Sequence, residues 1–182
     1  DYSNMSVPVH NWDAETTKLK SGSFPTKVAL QTNQHGFAKR APILVYIPGS
    51  FTNLSASQPK RWMWEHTHRG YHVVIVPNPW GTEYINRIPK EPIGNVEEEA
   101  ATLYDGIRNI IAKIRDLGAD NGQIRLSGVS SGGYLAAIMM ALDAEHENPL
   151  FNISANTYSV PFNIYNSILA LDGMIDEVAP EY

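Results

Sequence analysis

The sequence lacks cysteine altogether, and none of its apolar runs approaches the roughly 18 residues that a membrane-spanning helix needs. Without cysteine, neither disulfide bonds nor thiolate metal sites hold the chain together. Basic residues are also in the minority, since 14 Lys and Arg against 19 Asp and Glu give a formal net charge of −5. This balance argues against nucleic acid or an acidic membrane as the main partner, and we predict no metal and no cofactor.

The start of the chain has no recognisable signal peptide, and it begins at Asp1 rather than Met. We therefore expect a segment upstream of Asp1, and a secretory signal is one candidate for it. In that case the protein would be secreted or periplasmic. The absence of cysteine leaves the compartment open, because such a chain suits reducing and oxidising surroundings equally.

The composition is that of one soluble globular domain, with 43% hydrophobic and 18% charged residues in 182 positions. Continuous apolar runs at 43–47 and 71–76 predict strands buried on both faces, and apolar residues at helical spacing predict a long helix over 96–117. Weaker patterns predict strands at 27–30, 124–126 and 153–160 and helices at 59–69, 134–142 and 162–178. This alternation predicts an α/β fold with a mostly parallel sheet and helices on both faces.

A G-x-S-x-G pattern, formed by Gly128, Ser130 and Gly132, lies between a short predicted strand and the helix that follows it. A serine at such a turn is forced into a strained backbone conformation, and the flanking glycines let strand and helix approach each other. The strain presents the Ser130 hydroxyl above the edge of the sheet. The helix that begins there directs free N–H groups and the positive end of its dipole to the same place. This geometry suits a serine nucleophile.

Two other interpretations of this turn stay open at the level of sequence. The serines can simply cap the helix that follows. Glycine-rich turns between strand and helix also bind phosphate, but a P-loop requires Lys and then Ser or Thr after its last glycine, whereas Gly133 and Tyr134 stand there. The G-x-G-x-x-G spacing of dinucleotide-binding folds is absent as well, so nucleotide binding ranks third.

Together these features resemble the N-terminal part of the α/β-hydrolase family, and within it the serine esterases with a short cap. Pro48-Gly49-Ser50-Phe51 matches the oxyanion loop of that family, and Gly128 to Gly132 matches its nucleophile elbow. The resemblance implies one partial α/β-hydrolase-like domain over 1–182 that lacks the C-terminal strands. It leaves 1–22 as an irregular N-terminal segment and 162–182 as the start of a cap or crossover helix.

The resemblance further implies hydrolysis of a carboxylic ester or thioester, a small-molecule substrate, through an acyl-enzyme on Ser130. The backbone N–H of Ser131 and another from Ser50 or Phe51 would hold the oxyanion. Trp80 and Tyr84 are candidates for lining an apolar substrate pocket. The alternative is that aromatic side chains at these places only cover the sheet.

The sequence departs from the family pattern in the partners of the nucleophile. The family order is Ser, acid, His, but the only histidine after Ser130 is His146, at the far end of the helix that follows the elbow. Asn163 stands where the family can supply its acid. We therefore expect the histidine and acid outside the 182 residues, on a second chain or fragment that completes the fold or on a missing segment. The alternative is a hydrolase-like binding or interaction protein that has lost catalysis.

Overall fold

A computed structural model of the protein describes residues 9–12, 25–86, 94–152 and 154–161, together with 163, 166 and 169. The described residues form a six-stranded sheet and four helices. The strands are β1 (Val9–Trp12), β2 (Thr26–Ala29), β3 (Ala41–Ile47), β4 (His72–Ile75), β5 (Asp120–Val129) and β6 (Ser154–Tyr158). The helices are α1 (Ser57–His68), α2 (Thr82–Ile85), α3 (Val96–Asp116) and α4 (Ser131–Ala144).

The strands follow the order β1-β2-β4-β3-β5-β6 across the sheet. β2 is antiparallel to both of its neighbours, whereas β4, β3, β5 and β6 run parallel to one another. Parallel neighbours require crossover connections, and α1, α3 and α4 lie in the crossovers after β3, β4 and β5. The carboxyl ends of the four parallel strands therefore share one edge, which is where sheets of this kind bind ligands. The predicted, mostly parallel α/β sheet is confirmed.

The side chains of β3 alternate between two hydrophobic cores, one on each face of the sheet. Ile43, Val45 and Ile47 pack with side chains of α3 and α4 on one face. Tyr46 packs with Met63 of α1 on the other. Because helices cover both faces, β3 needs no polar alternation, and its sequence is accordingly a continuous apolar run.

The longest described helix, α3, forms where its sequence predicts it. Its first turn carries three glutamates, where negative charge favours the helix dipole. The Asn95 side chain caps the helix by accepting a hydrogen bond from the Glu98 N–H at 3.5 Å. Apolar residues at helical spacing face the sheet and have no exposed surface: Leu103, Ile107, Ile110 and Ile114.

Two elements, β1 and α2, differ from what their sequence predicts. β1 lies within the segment 1–22, which the sequence pattern assigns to irregular structure. It pairs antiparallel with β2, so its order comes from a tertiary partner rather than from its own pattern. α2 lies between 77 and 95, a stretch rich in proline and glycine for which the sequence pattern predicts neither a helix nor a strand. The helix predicted at 162–178 lies largely outside the described residues.

Candidate active site

Ser130 lies between the end of β5 and the start of α4, in a backbone conformation that few residues other than glycine adopt. Its φ is 55° and its ψ is −128°, and a sparsely populated conformation of this kind costs about 1–3 kcal/mol. Three backbone hydrogen bonds maintain it: the Ser130 N–H donates to the Tyr158 carbonyl at 2.8 Å, and the Ser130 carbonyl accepts from the Gly133 N–H at 2.9 Å and the Tyr134 N–H at 3.2 Å. The Ser130 side chain makes no capping bond to α4, so the capping interpretation is wrong for this serine.

The glycines around Ser130 are required by the close approach of backbone to backbone. A Cβ atom on Gly128 would lie 2.2 Å from the Gly132 carbonyl oxygen, and one on Gly132 would lie 2.3 Å from the Pro48 carbonyl oxygen. Both distances are far inside van der Waals contact. A Cβ on Gly49 would lie 3.3 Å from the Ser130 Cβ. The loop after β3 is therefore pressed directly against the turn that carries Ser130.

Three backbone N–H groups, those of Ser50, Phe51 and Ser131, are predicted to hold an oxyanion. None of them donates a hydrogen bond to an acceptor within the described part of the chain. Phe51 has a φ of 60°, and its side chain is 80% exposed, so the loop rather than ring packing sets its conformation. The three amides have the capacity to bind a further acceptor at the edge of the sheet where Ser130 lies.

Asn78 links the loops at this edge, and no sequence motif singles it out. Its side chain is fully buried, and its Nδ2 donates to the Pro48 carbonyl and to Ser131 Oγ, each at 2.9 Å. Ser131 Oγ is also hydrogen bonded to Ser50 Oγ at 2.7 Å. The sequence feature that could have indicated Asn78 is its place between two prolines just beyond a buried strand. That position lies at the edge where parallel sheets bind ligands.

Trp80 and Tyr84, the candidate pocket residues, both have structural contacts. The Trp80 indole N–H donates to the buried Glu99 carboxylate at 3.0 Å, and Glu99 also accepts from the Gly94 N–H at 2.7 Å. Tyr84 is only 3% exposed and packs in the core that contains α3. These contacts account for both rings by packing, and their place in a substrate pocket stays a prediction.

The sequence has six histidines, His10, His35, His66, His68, His72 and His146. Among those whose side chains the structure describes, the hydrogen bonds go to groups other than Ser130. His66 lies in the last turn of α1, where its Nδ1 is 2.9 Å from the Trp62 carbonyl oxygen. His146 follows α4, whose 14 residues separate it from Ser130 by about 20 Å at 1.5 Å per residue. The expectation that His146 is not the catalytic base agrees with this placement.

The most constrained of these histidines is His72, which is fully buried at the start of β4. Its Nδ1 accepts from the Gln31 N–H at 2.8 Å, and its Nε2 lies 3.0 Å from the Lys39 carbonyl and 3.1 Å from the Ala119 carbonyl. Since the first partner only donates and the other two only accept, the ring is neutral with its proton on Nε2. Burial lowers the pKa of His72, and the two carbonyls oppose that effect in part.

Because His72 is buried, we expect the free energy of unfolding to fall as the pH drops below the pKa of an ordinary, solvent-exposed histidine. The unfolded chain binds a proton near pH 6.5, whereas folded His72 does so only at lower pH, so stability is lost between the two values. The variant His72→Gln keeps a donor and an acceptor without a titrating ring. Urea unfolding at about pH 7.5 and about pH 5.5 should show a smaller pH dependence in the variant, and an equal dependence in both proteins would contradict the assignment.

A cavity of about 740 Å³ lies between α3 and α4, and Ser130 is not among its lining residues. Its walls include Val96, Glu97, Tyr134, Ile138, Leu142 and Glu145. In the described part of the chain, no group of three or more His, Asp or Glu side chains is arranged to hold a metal ion. Nor is any described helix long and apolar enough to cross a membrane.

The strand order, the crossovers and the strained Ser130 turn define an α/β-hydrolase fold, and solved structures share it. An esterase from Pyrobaculum calidifontis superposes with a TM-score of 0.58 at 20% sequence identity, over 81% of this chain and 43% of its own. Brefeldin A esterase, a bacterial homologue of human hormone sensitive lipase, gives 0.57 at 19% identity over 76% and 36%. A proposed carboxylesterase from Lactobacillus plantarum WCFS1 gives 0.59 at 16% identity over 88% and 62%.

No protein-family model and no curated protein sequence matches this chain. The chain spans 43%, 36% and 62% of the three solved structures, which is less than two thirds of each. At identities of 16 to 20%, the likeness establishes the fold and does not by itself establish an activity.

Proposed function

We propose that this chain provides the nucleophile and the oxyanion hole of a serine esterase. The observation that carries the proposal is the conformation of Ser130, with φ of 55° and ψ of −128°, at the carboxyl edge of a parallel sheet. Strain of this kind persists only where the surrounding structure imposes it, and it clusters at active sites. The structures that share the fold are described as esterases or as a carboxylesterase, which supports ester hydrolysis as the reaction class.

In the proposed reaction, Ser130 Oγ attacks the carbonyl carbon of a carboxylic ester or thioester while a histidine accepts its proton. The oxyanion of the tetrahedral intermediate accepts hydrogen bonds from the Ser131 N–H and from the N–H of Ser50 or Phe51. The alcohol or thiol leaves with the proton held by the histidine, and an acyl group remains on Ser130. Water then gives a proton to the same histidine and attacks the acyl carbon. The acid is released as Ser130 Oγ leaves and takes that proton back from the histidine.

The histidine and carboxylate of this mechanism come, in our proposal, from polypeptide outside the 182 residues. His146 is separated from Ser130 by the length of α4, and His72 is committed to three hydrogen bonds elsewhere. The esterase from Pyrobaculum calidifontis contains polypeptide that this chain does not match, since the chain covers 43% of it. Either a continuous segment or a bound second chain would supply the two residues.

A hydrolase-like protein that binds a small molecule or a partner without catalysis is the second candidate. The observation that favours it is that no histidine is hydrogen bonded to Ser130 among the described residues, because a serine without a base is a weak nucleophile. The two candidates differ in one chemical property, which is the reactivity of the Ser130 hydroxyl.

Labelling of the full-length protein with a serine-directed fluorophosphonate measures that reactivity. The labelled protein is digested, the adduct is located by mass spectrometry, and hydrolysis of a short-chain p-nitrophenyl ester is followed in parallel. The esterase proposal predicts one adduct per chain, on Ser130, with hydrolysis lost in proportion to labelling. Intact mass measured on the same sample shows whether a second chain is bound. A full-length protein that takes no label at Ser130 would overturn the proposal and favour the binding protein.

A further inference from the structure

We infer that Asn78 is a positioning residue that holds the oxyanion loop against the nucleophile elbow, an inference that rests on the proposed esterase function. Asn78 lies just beyond β4, in a loop that contributes none of the proposed reacting groups. It is nevertheless fully buried. Its side chain reaches the residues that follow β3, the parallel neighbour of β4, and those that follow β5, the next strand beyond β3. A buried amide is tolerated only where its hydrogen bonds are made, and those of Asn78 join the two halves of the proposed oxyanion hole.

The orientation of the Asn78 amide follows from its partners alone. The Pro48 carbonyl can only accept a hydrogen bond, and it lies 2.9 Å from Nδ2. The Trp80 backbone N–H can only donate, and it lies 3.0 Å from Oδ1. Swapping the nitrogen and the oxygen would face acceptor with acceptor and donor with donor, so the assignment is unambiguous.

The second hydrogen of Nδ2 connects Asn78 to the elbow. It is donated to Ser131 Oγ at 2.9 Å, and Ser131 Oγ in turn is hydrogen bonded to Ser50 Oγ at 2.7 Å. Ser131 follows the nucleophile, and Ser50 belongs to the loop after β3, so each of these residues carries one of the proposed oxyanion donors on its own backbone N–H. Asn78 thus contacts both the loop and the elbow and sets the spacing between their amides.

The loop that carries Asn78 is itself fixed. The Asn78 carbonyl accepts a hydrogen bond from the Gly81 N–H at 2.9 Å, which closes a turn. Trp80, in the same turn, donates its indole N–H to buried Glu99 in the first turn of α3. Because its own backbone is fixed, the Asn78 side chain can hold the two loops at a set distance from each other. A side chain on a mobile loop would move with them instead. This rigidity is what an oxyanion hole needs, because its donors must be in place before charge develops on the substrate.

Loss of the hydrogen bonds from Asn78 to Pro48 and Ser131 is expected to lower the reaction rate and to leave substrate binding nearly unchanged. A misplacement of the donors by about 1 Å lowers the rate about 100-fold, so we expect kcat to fall about 10- to 100-fold with a KM change below about threefold. The variant Asn78→Asp tests this, since it keeps the shape of the side chain and removes both donated hydrogen bonds. The Ser131 hydroxyl can turn to donate to the new carboxylate, but the Pro48 carbonyl cannot, so the loop after β3 loses its anchor.

A matched control is available at the opposite edge of the sheet. The Gln31 side chain donates its Nε2 hydrogens to the Thr67 carbonyl at 2.5 Å and the Tyr71 carbonyl at 3.2 Å. The variant Gln31→Glu therefore makes the same change from amide to carboxylate and also removes two donated bonds to backbone carbonyls, one in the last turn of α1 and one in the loop before β4. It lies away from Ser130, so a general loss of stability is expected to appear in both variants and a loss of rate only in Asn78→Asp.

The experiment uses the full-length protein and measures fluorophosphonate labelling of Ser130, ester hydrolysis, and hydrogen exchange of the peptide that contains 48–51. The inference predicts slower labelling, lower kcat and faster exchange in Asn78→Asp, and wild-type labelling in Gln31→Glu. Should Asn78→Asp fail to fold, Ser131→Ala removes the two hydrogen bonds that Ser131 Oγ accepts, from Asn78 and from Ser50, and keeps the bond from Asn78 to Pro48. It is expected to slow labelling with KM unchanged.

Labelling at the wild-type rate in a folded Asn78→Asp variant, or equal slowing in Gln31→Glu, would overturn the inference. A wild-type protein without any label on Ser130 would instead overturn the proposed function. In that case the exchange measurement still decides whether Asn78 holds the two loops together, because it does not depend on catalysis.

Discussion

Replacing Ser130 with glycine is expected to make the protein more stable and at the same time to abolish its labelling by a fluorophosphonate. The serine is held at φ of 55° and ψ of −128°, where strain amounts to about 1–3 kcal/mol. Glycine adopts this conformation without a Cβ clash, although its freer unfolded chain offsets about 0.5–1 kcal/mol of the gain. Because the Ser130 side chain makes no capping bond, its removal leaves no helix N–H newly unpaired, and we expect a net gain of about 1 kcal/mol.

The matched variant is Ser130→Ala, which removes the hydroxyl but keeps the Cβ and therefore the strain. Both variants should lose the adduct and at least about 10⁴-fold of ester hydrolysis, since nothing else on the chain replaces the nucleophile. Only the glycine variant should unfold at a higher urea concentration than the wild type. A glycine variant that is no more stable than the alanine variant would show that the turn is not strained, and hydrolysis that survives in either variant would show that Ser130 is not the nucleophile.

The fold could be predicted from sequence where an element carries its own signal. α3 shows helical spacing of apolar residues over its full length, and β3 is a continuous apolar run because both of its faces are covered. These are properties of short windows of sequence, so they can be recognised without knowledge of what packs against them. β1 has no such window. It is ordered by pairing with β2, and no local pattern reports a tertiary partner.

The candidate site divides in the same way. Gly128, Ser130 and Gly132 lie within five consecutive residues, and the turn they form is a local event that the motif predicts. Asn78 acts across the chain instead, since its two donated bonds reach residues 30 and 53 positions away. Only the strand order places those residues side by side, so the link depends on topology that a single sequence does not display.

The chemistry follows the same division between local and distant residues. A nucleophile elbow can be recognised from its own few residues because glycine, serine and strain are tied together at one turn. A triad base is brought to that turn by the fold from elsewhere in the polypeptide. The sequence therefore points to Ser130 as a candidate nucleophile through one motif. The six histidines carry no such motif, and none of them can be assigned as its partner from sequence.

Replacing Gly132 with alanine is expected to damage the site severely, because the added methyl group would meet rigid backbone. The new Cβ would lie 2.3 Å from the Pro48 carbonyl oxygen and 2.4 Å from that of Ile47, so backbone must move by about 1 Å to restore contact. Alanine favours the helix over glycine by about 1 kcal/mol, but overpacking typically costs 1–3 kcal/mol or more, and here the neighbours are rigid backbone. We expect a net loss of about 2 kcal/mol and labelling of Ser130 slowed about 100-fold.

The neighbouring glycine provides a graded comparison within the same helix. A Cβ on Gly133 would lie 2.8 Å from a methyl group of Val160 and 3.1 Å from the Gly128 carbonyl oxygen, and a side-chain methyl can move aside where a carbonyl cannot. Gly133→Ala should therefore lose less stability and less labelling than Gly132→Ala, as measured by urea unfolding and by the rate of adduct formation. This ranking of the two variants tests the contact between loop and elbow, because of the two added methyl groups only the one on Gly132 would clash with the loop after β3. If Gly133→Ala proved the more damaging change, close contact between that loop and the elbow would not be what holds the proposed oxyanion hole together.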